Sequence, residues 1–60
     1  MTRKHFNAIA AALAAARPPV DYYTRLENEQ WRADCDAIAD VCQGFNRAFN
    51  RDTFMEACYA

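Results

Sequence analysis

The chain has 60 residues, with seven basic and eight acidic side chains and a formal net charge of −1. A chain of this length forms at most one domain, residues 1–60, and buries only about 60% of the surface that its unfolded form exposes. The near-zero charge argues against a general nucleic-acid-binding protein, which usually has a clear basic excess, and no apolar run approaches the roughly 20 residues that cross a bilayer.

Large aliphatic residues are sparse, and much of the apolar content is alanine, which adds little buried area. Small domains of this kind often depend on a disulfide, a metal or a partner. We therefore expect the chain to complete its core by self-association or by binding something larger, so a homodimer stays open. The three cysteines, an odd number, favour reduced thiols and a cytoplasmic location.

The first predicted helix begins at Arg3, with Thr2 as its N-cap. Its apolar residues recur at the spacing of one helical face: Phe6, Ile9, Ala10 and Leu13. The proline pair at 18–19 ends the helix and keeps Arg17 out of it. The residues up to Tyr23 then form a short ordered connection.

The second predicted helix begins near Thr24, which has the spacing of a capping box with Glu27; a start at Asp21 stays open. Gly44 is the predicted stop signal, so the helix ends at Gln43. The clearest periodic pattern of the chain marks the buried face of this helix: Trp31, Cys35, Ile38, Cys42 and Phe45. A second, shallower apolar strip lies beside it: Leu26, Ala33, Ala37 and Val41.

The segment FNRAFNRDTF, residues 45–54, contains Phe-Asn-Arg twice. We interpret it as a connector in which Phe45 and Phe49 enter the core while Asn46 and Asn50 satisfy backbone groups. Asn50 also caps a short third helix, whose inward-facing residues are Phe54, Met55 and Cys58. The predicted fold is therefore all-α: a small three-helix bundle with two main helices and a short C-terminal one.

The basic residues give two alternatives to this interpretation. In the first, Phe49 is an exposed aromatic between Arg47 and Arg51 and forms a recognition site. In the second, the protein is a small DNA-binding transcriptional regulator, although few cations and no aromatic platform make nucleic acid the weaker prediction. The phosphate-contacting residues would be Arg3, Lys4 and Arg17, with Arg47 or Arg51.

The residue types exclude several kinds of catalysis. The chain has no serine, and its only histidine, His5, lies in the first turn of the first helix, where we expect an exposed bystander. Cys35 and Cys42 are seven residues apart on one helix, about 10 Å along its axis, which is too far for a disulfide or a shared zinc ion. Cys58 could pair with either. We expect buried free thiols, no metal, no cofactor and no enzymatic activity.

The acidic residues of the second helix form the predicted contact surface. Asp36 and Asp40 are one turn apart, on the side opposite the apolar face, and Arg32 has the spacing to pair with Asp36. We expect this side to meet a partner with a basic surface, since complementary charge speeds and orients association; a merely solvated face is the alternative. Exposed tyrosines often anchor protein contacts. The predicted partner-binding residues are Glu29, Asp34, Asp36, Asp40, Tyr22 and Tyr23.

Several stretches together resemble a family of very short phage and prophage proteins. The matching segments are MTRKHF, IAAALAAARP, QWRADCDAIAD and FNRDTFMEAC, which span nearly the whole chain. The family pattern has Asn-Pro-Arg-Phe-Asp-Arg near its end, followed by a final Phe and Ala-Cys. Here Asn46 and Phe49 match, Arg47 replaces the proline and Asn50 replaces the aspartate. Because Asn and Asp are both strong N-caps, that replacement supports a helix start at this point.

The resemblance implies a protein without assigned enzymatic activity. Small phage proteins of this kind often bind and redirect host machinery. We therefore expect a non-enzymatic accessory protein that inhibits or modulates a host protein complex in the host cytoplasm, with an inhibitor of the anti-CRISPR type as the specific expectation.

Overall fold

Three α-helices and one 3-10 turn make up the fold. The computed structural model describes residues 2–60, with α1 at Arg3–Ala15, α2 at Arg25–Phe45 and α3 at Arg51–Tyr59; the 3-10 turn, Tyr22–Thr24, precedes α2. No strand occurs among residues 2–60. The short α3 packs against both α1 and α2. The predicted all-α bundle with two main helices and a short C-terminal one is therefore confirmed.

Thr2 is the N-cap of α1, as predicted, but His5 has a part in the cap. The backbone N–H of Thr2 donates to Nδ1 of His5 over 3.2 Å, and the Thr2 hydroxyl lies 3.0 Å from the same nitrogen. His5 is exposed, as predicted, and its ring also satisfies a backbone donor at the helix end. At the other end, α1 stops at Ala15, ahead of the proline pair.

The predicted capping box at the start of α2 is wrong, since the box forms one turn earlier. The Asp21 carboxylate accepts hydrogen bonds from the backbone N–H groups of Tyr23 and Thr24 at 2.8 and 3.1 Å. In return, the Thr24 hydroxyl accepts from the Asp21 backbone N–H at 3.2 Å. Asn28 then donates to the carbonyl of Pro19 at 3.0 Å. The proline segment is thereby held against the first turn of α2.

The predicted stop at Gly44 is also wrong. Gly44 lies inside α2, with no positive φ, and the helix ends at Phe45 because Asn46 is extended. A β-carbon added to Gly44 would meet nothing within 4 Å. Glycine in a helix interior destabilises by roughly 0.5–1 kcal/mol relative to alanine. Neither the backbone conformation nor the packing of residues 2–60 therefore requires a glycine here.

The core lies where α3 meets the other two helices. Its buried side chains are Phe6, Ala10, Trp31, Cys35, Ala39, Cys42, Phe49, Phe54 and Cys58, with Ile9, Leu13, Ile38 and Met55 packed at its margin. Phe49 packs edge-on against Phe6, with ring centres 4.7 Å apart, and against Phe54 at 5.3 Å. As predicted, Asn50 caps α3, accepting from the Thr53 backbone N–H at 3.1 Å.

One end of the core ties together residues from all three helices. The Trp31 indole N–H donates to the carbonyl of Leu13 at 2.9 Å. The Arg17 guanidinium lies 4.9 Å from the centre of the Trp31 ring and 5.6 Å from that of Tyr59. Arg17 also donates to the Tyr59 carbonyl at 3.4 Å. These contacts close the bundle at the C-terminal ends of α1 and α3.

The prediction that Phe45 lies in the core is wrong. Its side chain is 67% exposed, while Ala39, outside the predicted pattern, is fully buried. The second apolar strip that the sequence predicted on this helix is exposed as well: Leu26, Ala33, Ala37 and Val41. At about 100° per residue, this strip lies on the side of α2 opposite the buried Cys35, so a helix packed at Cys35 does not cover it. Phe45 is the last residue of α2.

The two Phe-Asn-Arg copies give a matched pair of variants for testing this core. Phe49→Ala should destabilise by about 3–5 kcal/mol, as expected for a buried aromatic, and leave much of this small domain unfolded. Phe45→Ala should change the free energy of unfolding by less than about 0.5 kcal/mol, since the side chain is exposed. Urea unfolding followed by far-UV circular dichroism measures both, and equal effects would contradict the assigned core.

Candidate protein-binding surface

Asp36 and Asp40 come together at the start of α3, where both pair with Arg51. The Arg51 guanidinium lies 2.6 Å from an Asp40 carboxylate oxygen and 3.3 Å from one of Asp36. The hydrogen bond to Asp40, supported by Asp36, raises the pKa of Arg51 above its ordinary value. Both carboxylates remain mostly exposed. They are therefore available to a partner only in competition with Arg51.

The predicted Arg32–Asp36 pair does not form. Asp36 accepts from Arg51 instead, and the Arg32 guanidinium lies over the Tyr59 ring, 5.9 Å from its centre. Sequence spacing favoured Arg32, which is on the same helix as Asp36. Arg51 is 15 residues away in the sequence, but α3 places it beside Asp36. Arg32 is thereby directed towards the C-terminal end of α3.

The other two predicted acidic residues are exposed and lie on opposite edges of α2. Glu29 pairs with Arg25 at 3.3 Å, and Asp34 accepts from the Gln30 side-chain amide at 2.9 Å. At about 100° per residue, Glu29 falls on the same edge as Asp36 and Asp40, while Asp34 falls on the other. Glu27 was not among the predicted contact residues, and it lies on the same edge of α2 as Asp34. The four predicted acids therefore do not form one face.

An exposed apolar strip separates the two acidic edges. We call it the outer strip and define it by Leu26, Ala33, Ala37, Val41, Gly44 and Phe45, all of which are exposed. Most of these residues were identified from the sequence as a second apolar pattern, but that pattern was expected to lie beside the buried face of α2. Their exposure depends on where α3 packs, which the periodicity of α2 alone does not specify.

Tyr22 and Tyr23 lie immediately before α2 and are the most exposed large apolar residues of the described chain. Their rings contact each other edge-on, with centres 5.4 Å apart. The Asp21 cap fixes the backbone of this turn through the N–H of Tyr23. The two rings therefore project from an ordered turn, as an anchor for another molecule requires.

The thiols are free and buried, and Cys58 lies beside Cys35. Burial, followed by the neighbouring Cys35, raises the pKa of the Cys58 thiol to about 11. Burial also raises the pKa values of Cys35 and Cys42. Within residues 2–60 no group of three His, Cys, Asp or Glu side chains is arranged to hold a metal ion. Protonated, buried thiols are poor nucleophiles and metal ligands.

Of the five cations considered for DNA binding, two have partners inside the fold. Arg17 packs on Trp31, and Arg51 pairs with Asp36 and Asp40. Arg3, Lys4 and Arg47 are exposed. Phe49 is buried between Phe6 and Phe54, so the alternative that placed it as an exposed aromatic between two arginines is wrong.

A groove of about 560 Å³ lies between the start of α1 and the connector to α3. Its lining includes Arg3, Asn7, Phe49 and Thr53. The asparagines beside it serve the backbone, since Asn46 accepts from the Ala48 N–H at 2.9 Å and Asn50 caps α3. The side-chain oxygens of Asn46 and Asn50 at this groove are therefore already engaged by backbone donors.

No helix in the described part of the chain is long and apolar enough to cross a membrane. No protein-family model, curated protein or solved structure matches this sequence.

The buried Cys58 predicts an alkaline loss of stability. The unfolded thiol ionises near its ordinary pKa of 9.0, whereas the folded one holds its proton to about 11. Below pH 9 the stabilisation is complete; between these values the unfolded state binds fewer protons, so stability falls as pH rises, by up to about 2 kcal/mol.

Urea unfolding at a series of pH values from about 8 to 11 measures this dependence. Cys58→Ala should be less stable throughout, because of its smaller volume, but should show a shallower decline across this window. Parallel curves for the two proteins would contradict the assigned environment of Cys58.

Proposed function

We propose that the protein acts without catalysis, by binding another protein through the outer strip of α2 and the turn before it. The observation that carries this proposal is the exposure of five large apolar side chains on these two adjoining elements. They are Val41, Phe45, Leu26, Tyr23 and Tyr22, between 57% and 88% exposed. Tyr22, Tyr23 and Leu26 lie at the start of α2, and Val41 and Phe45 lie about 22 Å or more farther along it, with the exposed Ala33 and Ala37 between them. Single exposed apolar residues are normal, but an extended apolar patch is typical of a protein-interaction surface.

The reactive side chains support a non-catalytic role. Nδ1 of His5 is engaged in the cap of α1, and the thiols are buried with raised pKa values. The carboxylates of Glu29, Asp34, Asp36 and Asp40 are exposed and engaged by neighbouring side chains, whereas acid–base catalysis usually takes place in a cleft. Glu29 lines a groove of about 460 Å³, where it pairs with Arg25.

The acidic edges of α2 support a partner with a basic surface. The resemblance of the sequence to short phage proteins supports a host complex as that partner, which the protein would inhibit or modulate in the host cytoplasm. An inhibitor of a CRISPR defence complex is the specific form of this proposal. DNA binding is the weaker alternative, since Arg17 and Arg51 are already engaged within the fold.

Site-specific photo-crosslinking tests the proposal. A benzophenone amino acid at Tyr23 should give a light-dependent adduct with one host protein at a fixed stoichiometry, because this position is exposed beside the outer strip. The same amino acid at Ala11, exposed on α1, is the control and should give none. Equal labelling from both positions, or no adduct from Tyr23, would contradict a protein-binding role for this surface.

A further inference from the structure

We propose that the outer strip seats one α-helix of the partner, amphipathic and carrying Lys or Arg on both of its edges. This inference rests on the proposed function, because it specifies the kind of element that the binding surface takes.

The shape of the outer strip suits a helix. From Leu26 to Phe45 it spans about 28 Å at 1.5 Å per residue, which is five turns of unbroken helix surface. Leu26, Ala33, Ala37 and Gly44 lie within about 20° of one line along α2 at 100° per residue. Val41 and Phe45 lie to one side of this line. A row of small residues with large ones beside it allows a second helix to approach closely while burying apolar area.

Gly44 supports close approach from outside the chain. It has an ordinary helical backbone, and a β-carbon there would meet no atom within 4 Å. The isolated fold would therefore accept alanine at this position and gain helix stability from it. A helix packed across the outer strip would explain the glycine, because the absence of a side chain at Gly44 lets the two helix backbones come closer together at this end of α2.

Charge identifies the occupant. All five acidic residues of α2 lie within about 100° of the line of small residues, on both sides of it: Glu29, Asp36 and Asp40 on one edge, and Glu27 and Asp34 on the other. The two basic residues, Arg25 and Arg32, lie about 100° and about 120° from the same line, so they are at least as far from it as any of the acidic residues. Arg25 and Arg51 pair with the first edge, whereas Glu27 and Asp34 have no salt bridge among the described residues. A helix in the strip therefore has carboxylates along both flanks, two of them not offset by a cation of this chain, and is best complemented by cations along its own edges.

The same charges oppose a second copy of this chain. With five acidic and two basic residues, α2 carries a net charge of −3. Packing two outer strips together would place acidic edges against acidic edges, and like charges that meet across an interface are unfavourable. The homodimer that the small core suggested is therefore the disfavoured occupant.

Titration of the ¹⁵N-labelled full chain with two designed peptides tests the inference. Each peptide has about 20 residues, long enough to cover the strip, and an identical leucine–alanine stripe; one has lysine on both edges and the other glutamate. The lysine peptide should shift the amide signals of Leu26, Ala37 and Gly44 and leave α1 unchanged. The glutamate peptide should shift none of them.

Matched variants locate the contact. Ala37→Gln adds bulk at the centre of the outer strip and should weaken lysine-peptide binding roughly tenfold, since it holds the helices apart. Ala11→Gln makes the same change at an exposed position on α1 and should leave binding unchanged. Glu27→Gln with Asp34→Asn removes one acidic edge without touching Arg51 and should weaken binding roughly fivefold.

Three results would overturn the inference: no shifts with the lysine peptide, equal shifts with both peptides, or shifts in the outer strip that appear on concentrating the protein alone. The last would assign the strip to a second copy. If the partner crosslinked through Tyr23 binds Ala37→Gln as well as the unmodified chain, the inference fails and the proposed function stands. If the lysine peptide binds the strip but Tyr23 captures no protein, the proposed function fails instead.

Discussion

The structure depends on the docking of a nine-residue helix against a 21-residue one. A helix as short as α3 is not stable alone in water, so it needs both its Asn50 cap and the apolar contacts of Phe54 and Cys58 in the core. Phe49, just before α3, is buried in the same core. Arg51 holds the start of α3 to Asp36 and Asp40 on α2. Because α3 packs on one side of α2, the outer strip on the opposite side stays exposed.

The features predicted correctly from sequence are local or strongly periodic. Thr2 and Asn50 were identified as caps because capping depends on a few neighbouring residues. Trp31, Cys35 and Cys42 were placed in the core because they recur at helical spacing. These signals are sufficient for the existence of three helices and for the middle of the buried face.

The errors concern choices that other parts of the chain decide. Arg32 and Arg51 could both reach Asp36, and only the position of α3 selects Arg51. Phe45 continues the apolar period of α2 but lies beyond the arc that α3 covers. Gly44 reads as a stop signal, yet the conformation of Asn46 ends the helix. The outer strip itself was visible as a pattern, but its exposure follows from packing that no local signal encodes.

The packing of α3 against α2 also gives some of the predicted contact residues a second role in stability. Two of the predicted contact residues, Asp36 and Asp40, also hold the bundle together, so altering them tests stability and binding at once. Glu27 and Asp34 do not pair with Arg51. Asp34 accepts from Gln30 and Glu27 lies in the first turn of α2, where a negative charge stabilises the helix modestly, so their replacement disturbs the bundle less than that of Asp36 and Asp40. Tyr22 and Tyr23 keep their predicted position as exposed aromatics on an ordered turn.

The bare outer strip is tested most directly by the solvent exposure of alanine methyl groups in dilute protein. A soluble gadolinium chelate broadens the NMR signals of methyl groups that it can approach. Ala37 on the outer strip is exposed, and Ala39, two residues away on the same helix, is fully buried. An exposed outer strip predicts strong broadening of the Ala37 methyl signal and little broadening of the Ala39 signal. Equal protection of the two methyl groups would mean that the strip is covered within the protein itself, and would contradict its exposure.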